Sequence, residues 1–168
     1  MRRFVLLFGL VAVTGCSAWS LEKREGSLPL TGAVPEGRAR ICVIRPGAEA
    51  GGVTFAVRDN GTLVGATRGG TRFCYLAEPG EHHIVSDADT ADTQTMVVEA
   101  GRSYYLRQDV DSVLGAVKCR TLWLDPDQAT KLSDQSSDEV LVAVPSGEQL
   151  PGQPAYAPLK PKAAIGSN

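Results

Sequence analysis

Apolar and polar positions fall into three regimes along the chain. Phe4 to Val13 is an apolar run of ten residues broken only by Gly9. From residue 38 to 124, short runs of β-branched, aliphatic and aromatic residues alternate with turn chemistry. Beyond residue 133 the chain turns polar and then proline-rich. The middle regime has the two-residue period of half-buried strands, not the 3.6-residue period of helices.

Within it, "RARICVIR" (38–45) predicts a strand closed by Pro46, which has no N–H to give a ladder. "VTFAVRDNGTLVGAT" (53–67) predicts a hairpin. Asn60-Gly61 supplies the two positive-φ positions of a type I′ turn, and Val53, Phe55 and Val57 share one face of the first arm. "TRFCYLAEPGEHHIVSD" (71–87) predicts two strands around Glu78-Pro79-Gly80. "DADTAD" (87–92) reads as a polar loop, and "TQTMVVEAGRSYYLRQDV" (93–110) as a hairpin turning at Ala100-Gly101. "SVLGAVKCRTLWLD" (112–125) reads as a last strand bulged at Gly115.

Turn signals recurring roughly every 8–12 residues favour an all-β fold, a small Ig-like or prealbumin-like sandwich of about seven strands. Asp125-Pro126 has the chemistry of an N-cap followed by proline at the first helical position, so "DPDQATKL" predicts one or two helical turns. "EVLVAV" (139–144) reads either as an edge strand or as an extended segment for a partner, and disorder is expected from residue 145.

The chain has 168 residues, enough for one ordinary domain with extensions. Its 17 basic and 19 acidic residues give a formal charge of −2, which generates no field for nucleic acid, and no nucleic-acid partner is expected.

The N-terminal apolar run follows Arg2 and Arg3 and is half the roughly 20 residues that a transmembrane helix needs. It has the length of a signal-peptide core. Val13-Thr14-Gly15-Cys16 then resembles the bacterial lipobox, an aliphatic residue and two small residues before cysteine. That resemblance implies a diacylglycerol thioether on Cys16, cleavage just before it, and fatty acylation (palmitate or similar) of the new amino group. Two or three acyl chains suffice as an anchor, since each buried methylene adds about 0.8 kcal/mol. Ser17, not aspartate, after the cysteine resembles an outer-membrane sorting signal in a cell with two membranes. Loss of residues 1–15 removes Arg2 and Arg3, which takes the formal charge from −2 to −4. The expected organisation is a signal over 1–15, the lipidated Cys16 and a tether over 16–37, a sandwich over 38–132, and a largely disordered tail over 133–168.

Across residues 35–124 the order of motifs resembles a family of bacterial lipoprotein domains known only as a domain of unknown function. The matching pieces are "PEGRARICVIRP", "RDNGTLVG", "RFCYLAEPGEHHI" and "EAGRSYYLR". The resemblance implies a small β-sandwich behind a lipobox and no established activity. Cys42 and Cys74 depart from it, standing at strand positions where a large aliphatic or aromatic residue is expected.

Cys42, Cys74 and Cys119 remain after lipidation, and in an oxidising compartment they allow one disulfide and one leftover thiol. One structural disulfide is favoured over three free buried thiols; Cys42 with Cys74 is the favoured pair, on strands whose neighbours read as core, and Cys74 with Cys119 is the alternative. No C-x-x-C is present, so a thioredoxin-like motif is excluded.

Glu81-His82-His83 is the one histidine cluster. Successive side chains in a strand face opposite sides, so His82 and His83 would not chelate one ion together. His82 or His83 with Asp87 or Asp89 is the set from which a zinc or copper site would be assembled, but no metal or other cofactor is expected. The aspartates of 87–92 lack the glycine and terminal glutamate of a calcium loop.

Ser103, Ser112 and the histidines sit in no G-x-S-x-G or H-E-x-x-H context, and no catalysis is expected. Tyr104 and Tyr105 should face opposite sides, one in the core; for the other, a cross-strand packing pair is favoured over a binding face with Arg72 and Arg107. The function expected is a lipid-anchored, non-catalytic binding or scaffold module of the cell envelope. The alternatives are an accessory metal-binding or enzymatic domain using His82 and His83, and a structural subunit of an envelope assembly.

Overall fold

The computed structural model describes residues 19–23, 28–47, 49–113 and 116–151, with the side chains of 112 and 113 left out. Cys16, Ser17, Gly115 and the signal lie outside the described residues, as does most of the proline-rich tail.

The described residues form ten strands and one helix: β1 (Ser20–Lys23), β2 (Ala39–Arg45), β3 (Phe55–Asp59), β4 (Thr62–Thr67), β5 (Thr71–Ala77), β6 (Gly80–Asp87), β7 (Asp92–Val98), β8 (Ser103–Val113), β9 (Ala116–Leu124), α1 (Pro126–Ser133) and β10 (Ser137–Ala143). They make a β-sandwich of a six-stranded sheet, β1-β10-β5-β2-β8-β9, facing a four-stranded sheet, β4-β3-β6-β7. Among the described residues no helix is long and apolar enough to cross a membrane.

β2 organises the molecule. It pairs antiparallel with β5 and parallel with β8, and every one of its residues is buried. Ala39, Ile41 and Val43 point between the sheets, where they meet Val57, Phe73, Tyr75, Ile84, Val98 and Leu106. Burying an aliphatic or aromatic side chain of this size contributes about 1.5–3 kcal/mol, so this layer is the main source of stability. Cys42 and Ile44 point the other way, under a cover made by Leu28, Leu30, Tyr105 and Ala129 of α1. A strand buried on both faces explains the nearly continuous apolar run at 41–44.

The local signals operate where the chemistry is short-range. Asn60 and Gly61 adopt φ of 49° and 81° at the tip of the β3–β4 hairpin. Asp125 caps α1 in a reciprocal capping box with Gln128, with Pro126 opening the first turn. Gly65 on β4 is required by packing: a Cβ there would lie 2.4 Å from the ring of Phe73.

Longer-range pairing departs from the sequence expectation. Residues 93–110 do not form a hairpin: β7 pairs with β6 in one sheet, while β8 pairs with β2 and β9 in the other. The turn at Ala100-Gly101 instead carries the chain across the sandwich, Gly101 N–H donating to the Arg38 carbonyl at 2.7 Å. The expected last strand over 112–125 begins later: residues 112 and 113 end β8, and β9 runs from Ala116, paired residue by residue with β8.

Two stretches assigned to flexible extensions also belong to the sandwich. Leu28 and Leu30, expected in a tether, are buried, and Ser20–Lys23 is a strand on β10. β10 takes the strand reading of 139–144, inside the sheet between β1 and β5 and not at its edge; it runs parallel to β5 at Ser137 and Asp138 and then leaves it. Its Val140 and Leu141, with Leu21 of β1, pack on Ala56, Leu63 and Ala66 of the four-stranded sheet. The apolar surface that β1 and β10 cover belongs to strands distant in sequence, so no local pattern announces the contact.

Candidate functional site

The residues singled out by sequence lie at three places: the face of β2 and β5, the β3–β6 end of the smaller sheet, and the edge of β9.

Cys42 and Cys74 are register partners on β2 and β5 and are joined by a disulfide. Two wholly buried arginines flank them on β2. Arg40 donates to the carbonyls of Leu30, Gly32 and Ala33 and to Ser103 Oγ, at 2.8–3.4 Å. Arg45 donates to the carbonyls of Val53, Glu49 and Ala50 at 2.6–3.1 Å, and its guanidinium lies 3.9 Å over the Phe55 ring. Burial lowers the pKa of both groups. Neither meets a carboxylate in these contacts, so their charges are solvated by backbone carbonyls and fix the 30–33 and 49–53 segments against the sheet.

At the second place, alternation along β6 separates the two histidines. His82 is buried and His83 exposed. His82 Nδ1 lies 2.6 Å from Asp59 Oδ2, and its Nε2 lies 2.8 Å from the Glu78 carbonyl. Tyr75 Oη donates to the same Asp59 oxygen at 2.9 Å. The Glu78 carbonyl only accepts, so the ring donates there and a single proton serves the contact between Nδ1 and Asp59. Burial, followed by Asp59, raises the Tyr75 pKa well above its ordinary value.

Both ring nitrogens of His82 are thereby committed to protein oxygens. His83 contacts Thr95 Oγ1 and Glu81 on the outside, and Asp87 faces Arg58 at 3.5 Å. Among the described residues no group of three histidine, cysteine, aspartate or glutamate side chains is placed to hold a metal ion. The structure does not bring His82, His83 and Asp87 into one ligand set.

The third place gives the aspartates of 87–92 a role that sequence reasoning missed. Asp89 accepts from the Val117 N–H at 2.9 Å, and Asp92 accepts from both the N–H and the hydroxyl of Thr121 at 2.6 Å. Gln94 donates to the Thr121 carbonyl at 3.0 Å. These side chains take the place of a neighbouring strand along β9 and close that edge of the sandwich. Burial alone would raise the Asp92 pKa, but the Thr121 and Thr93 hydrogen bonds and the nearby Arg120 outweigh it and hold it below the ordinary value. No local pattern marked this role, because Asp89 and Asp92 lie just before and at the start of β7 whereas the groups they hold are on β9.

Behind this edge, Gln108 bonds Thr67 and donates to Ser86 Oγ at 2.8 Å. Cys119 is the free, buried cysteine among the described residues. Burial and Asp92 push its thiol up to about 12, against the opposing effects of Arg45 and Ser86. It is therefore a neutral, unreactive thiol at physiological pH.

Tyr105 is buried with its hydroxyl donating to the Leu30 carbonyl at 3.2 Å, while Tyr104 packs at the core margin and its hydroxyl accepts from the Glu99 N–H at 2.9 Å. Arg72 pairs with Asp138, and Arg107 with Asp109. The two tyrosines and two arginines therefore do not form a shared exposed face. A polar cleft of about 320 Å³ opens beside Pro46, Glu49, Arg107, Asp109, Asp111 and Arg120, with Asp109 2.6 Å from Arg107 and 3.7 Å from Arg120.

No family model, no curated protein and no solved structure matches the chain.

Proposed function

We propose that this protein is a lipid-anchored module of the cell envelope that binds or scaffolds a protein partner without performing catalysis, and that it is a lipoprotein of the domain-of-unknown-function family it resembles. The observation that carries this reading is the N-terminal order of Arg2-Arg3, the apolar run Phe4 to Val13, and the lipobox-like Val13-Thr14-Gly15-Cys16. A thioether-linked diacylglycerol on Cys16 and an acylated amino group supply the anchor. Ser17 directs the protein to the outer membrane, facing the periplasm, in a cell with two membranes.

The disulfide between Cys42 and Cys74 supports an oxidising compartment, where such bonds form and persist. The commitment of His82, Asp59 and Tyr75 to one another supports a structural use of that cluster.

Detergent phase partitioning tests the reading. The native chain should partition into the detergent phase, and a Cys16→Ser variant should move to the aqueous phase and lose the cross-linked envelope partner. A Cys16→Ser chain that fractionates and cross-links as the native one does would overturn it.

A further inference from the structure

The anchor reading leaves the distance between bilayer and domain open, and the position of β1 sets it. Four peptide steps separate Cys16 from Ser20, the first residue of β1. Fully extended, they span at most about 14 Å. That is about twice the depth of the headgroup layer, which is about 5–8 Å on each side of the hydrocarbon, and holds the start of β1 close to the bilayer surface. The segment expected to act as a long tether is therefore not available as one, because Leu21 is buried in the sandwich and Trp19 packs with it.

Ser20 pairs with Ala143, so the anchored end of β1 lies beside the C-terminal end of β10. Exposed apolar side chains lie at that end of β10 and in the segment that follows it. Three large apolar side chains are exposed among the described residues, and two of them, Val142 and Leu150, belong to the end of β10 and the segment after it. Val144 and Trp19 are half-buried beside them, packed on the same apolar cluster.

The acidic side chains of this segment are drawn into ion pairs. Glu148 pairs with Arg58, which also faces Asp87, and the buried Glu139 makes a two-point pair with Arg68 at 2.8 and 3.0 Å. Glu22 and Lys23 on β1 offset each other in sign.

We infer that the β1–β10 corner, with Trp19, Val142, Val144 and Leu150, is a membrane-seated face of the domain, and that its occupant is the bilayer holding the Cys16 acyl chains. This rests on the lipid-anchor reading. The domain lies flush on the membrane rather than swinging on a leash, and partners meet the surfaces turned away from the β1–β10 corner.

The test uses the full lipidated chain in vesicles of phosphatidylethanolamine and phosphatidylglycerol, in a Cys119→Ala background. Nitroxides are placed at Val142→Cys, Leu150→Cys and, as the reference, Val97→Cys on β7. Collision with oxygen relative to a water-soluble nickel complex should be several-fold higher at 142 and 150 than at 97. Equal ratios at all three positions on a chain whose mass shows the lipid would overturn the membrane-seated face and leave the anchor intact. A chain whose mass shows no lipid would overturn the anchor and the face together.

Discussion

Cys42 and Cys74 stand directly opposite each other at the centre of the six-stranded sheet, and their disulfide ties β2 to β5 across 32 residues of sequence. The closed loop contains the whole β3–β4 hairpin. Because the bond restricts the unfolded chain, its loss should lower stability by about 2–4 kcal/mol. Denaturant unfolding of a Cys42→Ala/Cys74→Ala chain measures it; an unchanged midpoint would mean that the bridge does not constrain the fold.

His82 and Asp59 form a buried pair to which Tyr75 also donates. Removing the imidazole in His82→Ala leaves the carboxylate short of a partner, at an expected cost of about 3–5 kcal/mol. Tyr75→Phe removes one hydrogen bond and should cost about 1 kcal/mol. A double-mutant cycle on Asp59 and His82 should show a coupling of at least about 1 kcal/mol. Additive losses would contradict a mutually dependent pair.

What could be read from the sequence follows the range of the interaction that fixes each element. The Asn60-Gly61 turn, the end of β2 at Pro46 and the capped start of α1 at Asp125-Pro126 are set by dihedrals and hydrogen bonds within a few residues, and all three were legible. Which sheet a strand joins was not, because β7 and β8 follow one another in sequence yet pair with β6 and β2. Arg40 and Arg45 belong to a residue type seldom fully buried, and it is the carbonyls of the adjoining 30–33 and 49–53 segments that let both be buried. At the site level, the alternation of His82 and His83 across β6 was legible. The Asp59 partnership and the hold of Asp89 and Asp92 on β9 depend on contacts between strands and were not.

Cys119 gives the fold an alkaline limit. Its thiol is pushed up to about 12 from an ordinary 9.0, so above pH 9 the unfolded chain releases its proton before the folded one. Fewer protons bound in the unfolded state means that stability falls with rising pH. Tyr75, also raised by burial and by Asp59, adds a loss of the same sign. The melting temperature should fall between pH 9 and 12, and with a shallower slope in Cys119→Ala; identical slopes would show that the thiol does not titrate with unfolding.

Gly65 is needed because Phe73 lies against its Cα. An added methyl would meet the Phe73 ring at 2.4 Å. Gly65→Ala should therefore destabilise by about 1–3 kcal/mol, and a smaller side chain at 73, as in Phe73→Leu, should restore part of that loss. A Gly65→Ala chain as stable as the parent would show that the two strands separate without cost.

In the proposed function, Cys16 holds a disulfide-bonded β-sandwich on a membrane. The most direct measurement is the non-reducing intact mass of the chain extracted from membranes, taken before and after alkylation under denaturing conditions. The expected species is residues 16–168 carrying a diacylglycerol and an amide-linked acyl chain, with one alkylated thiol at Cys119 and an intact bridge between Cys42 and Cys74. An unlipidated chain that retains residues 1–15 would contradict it.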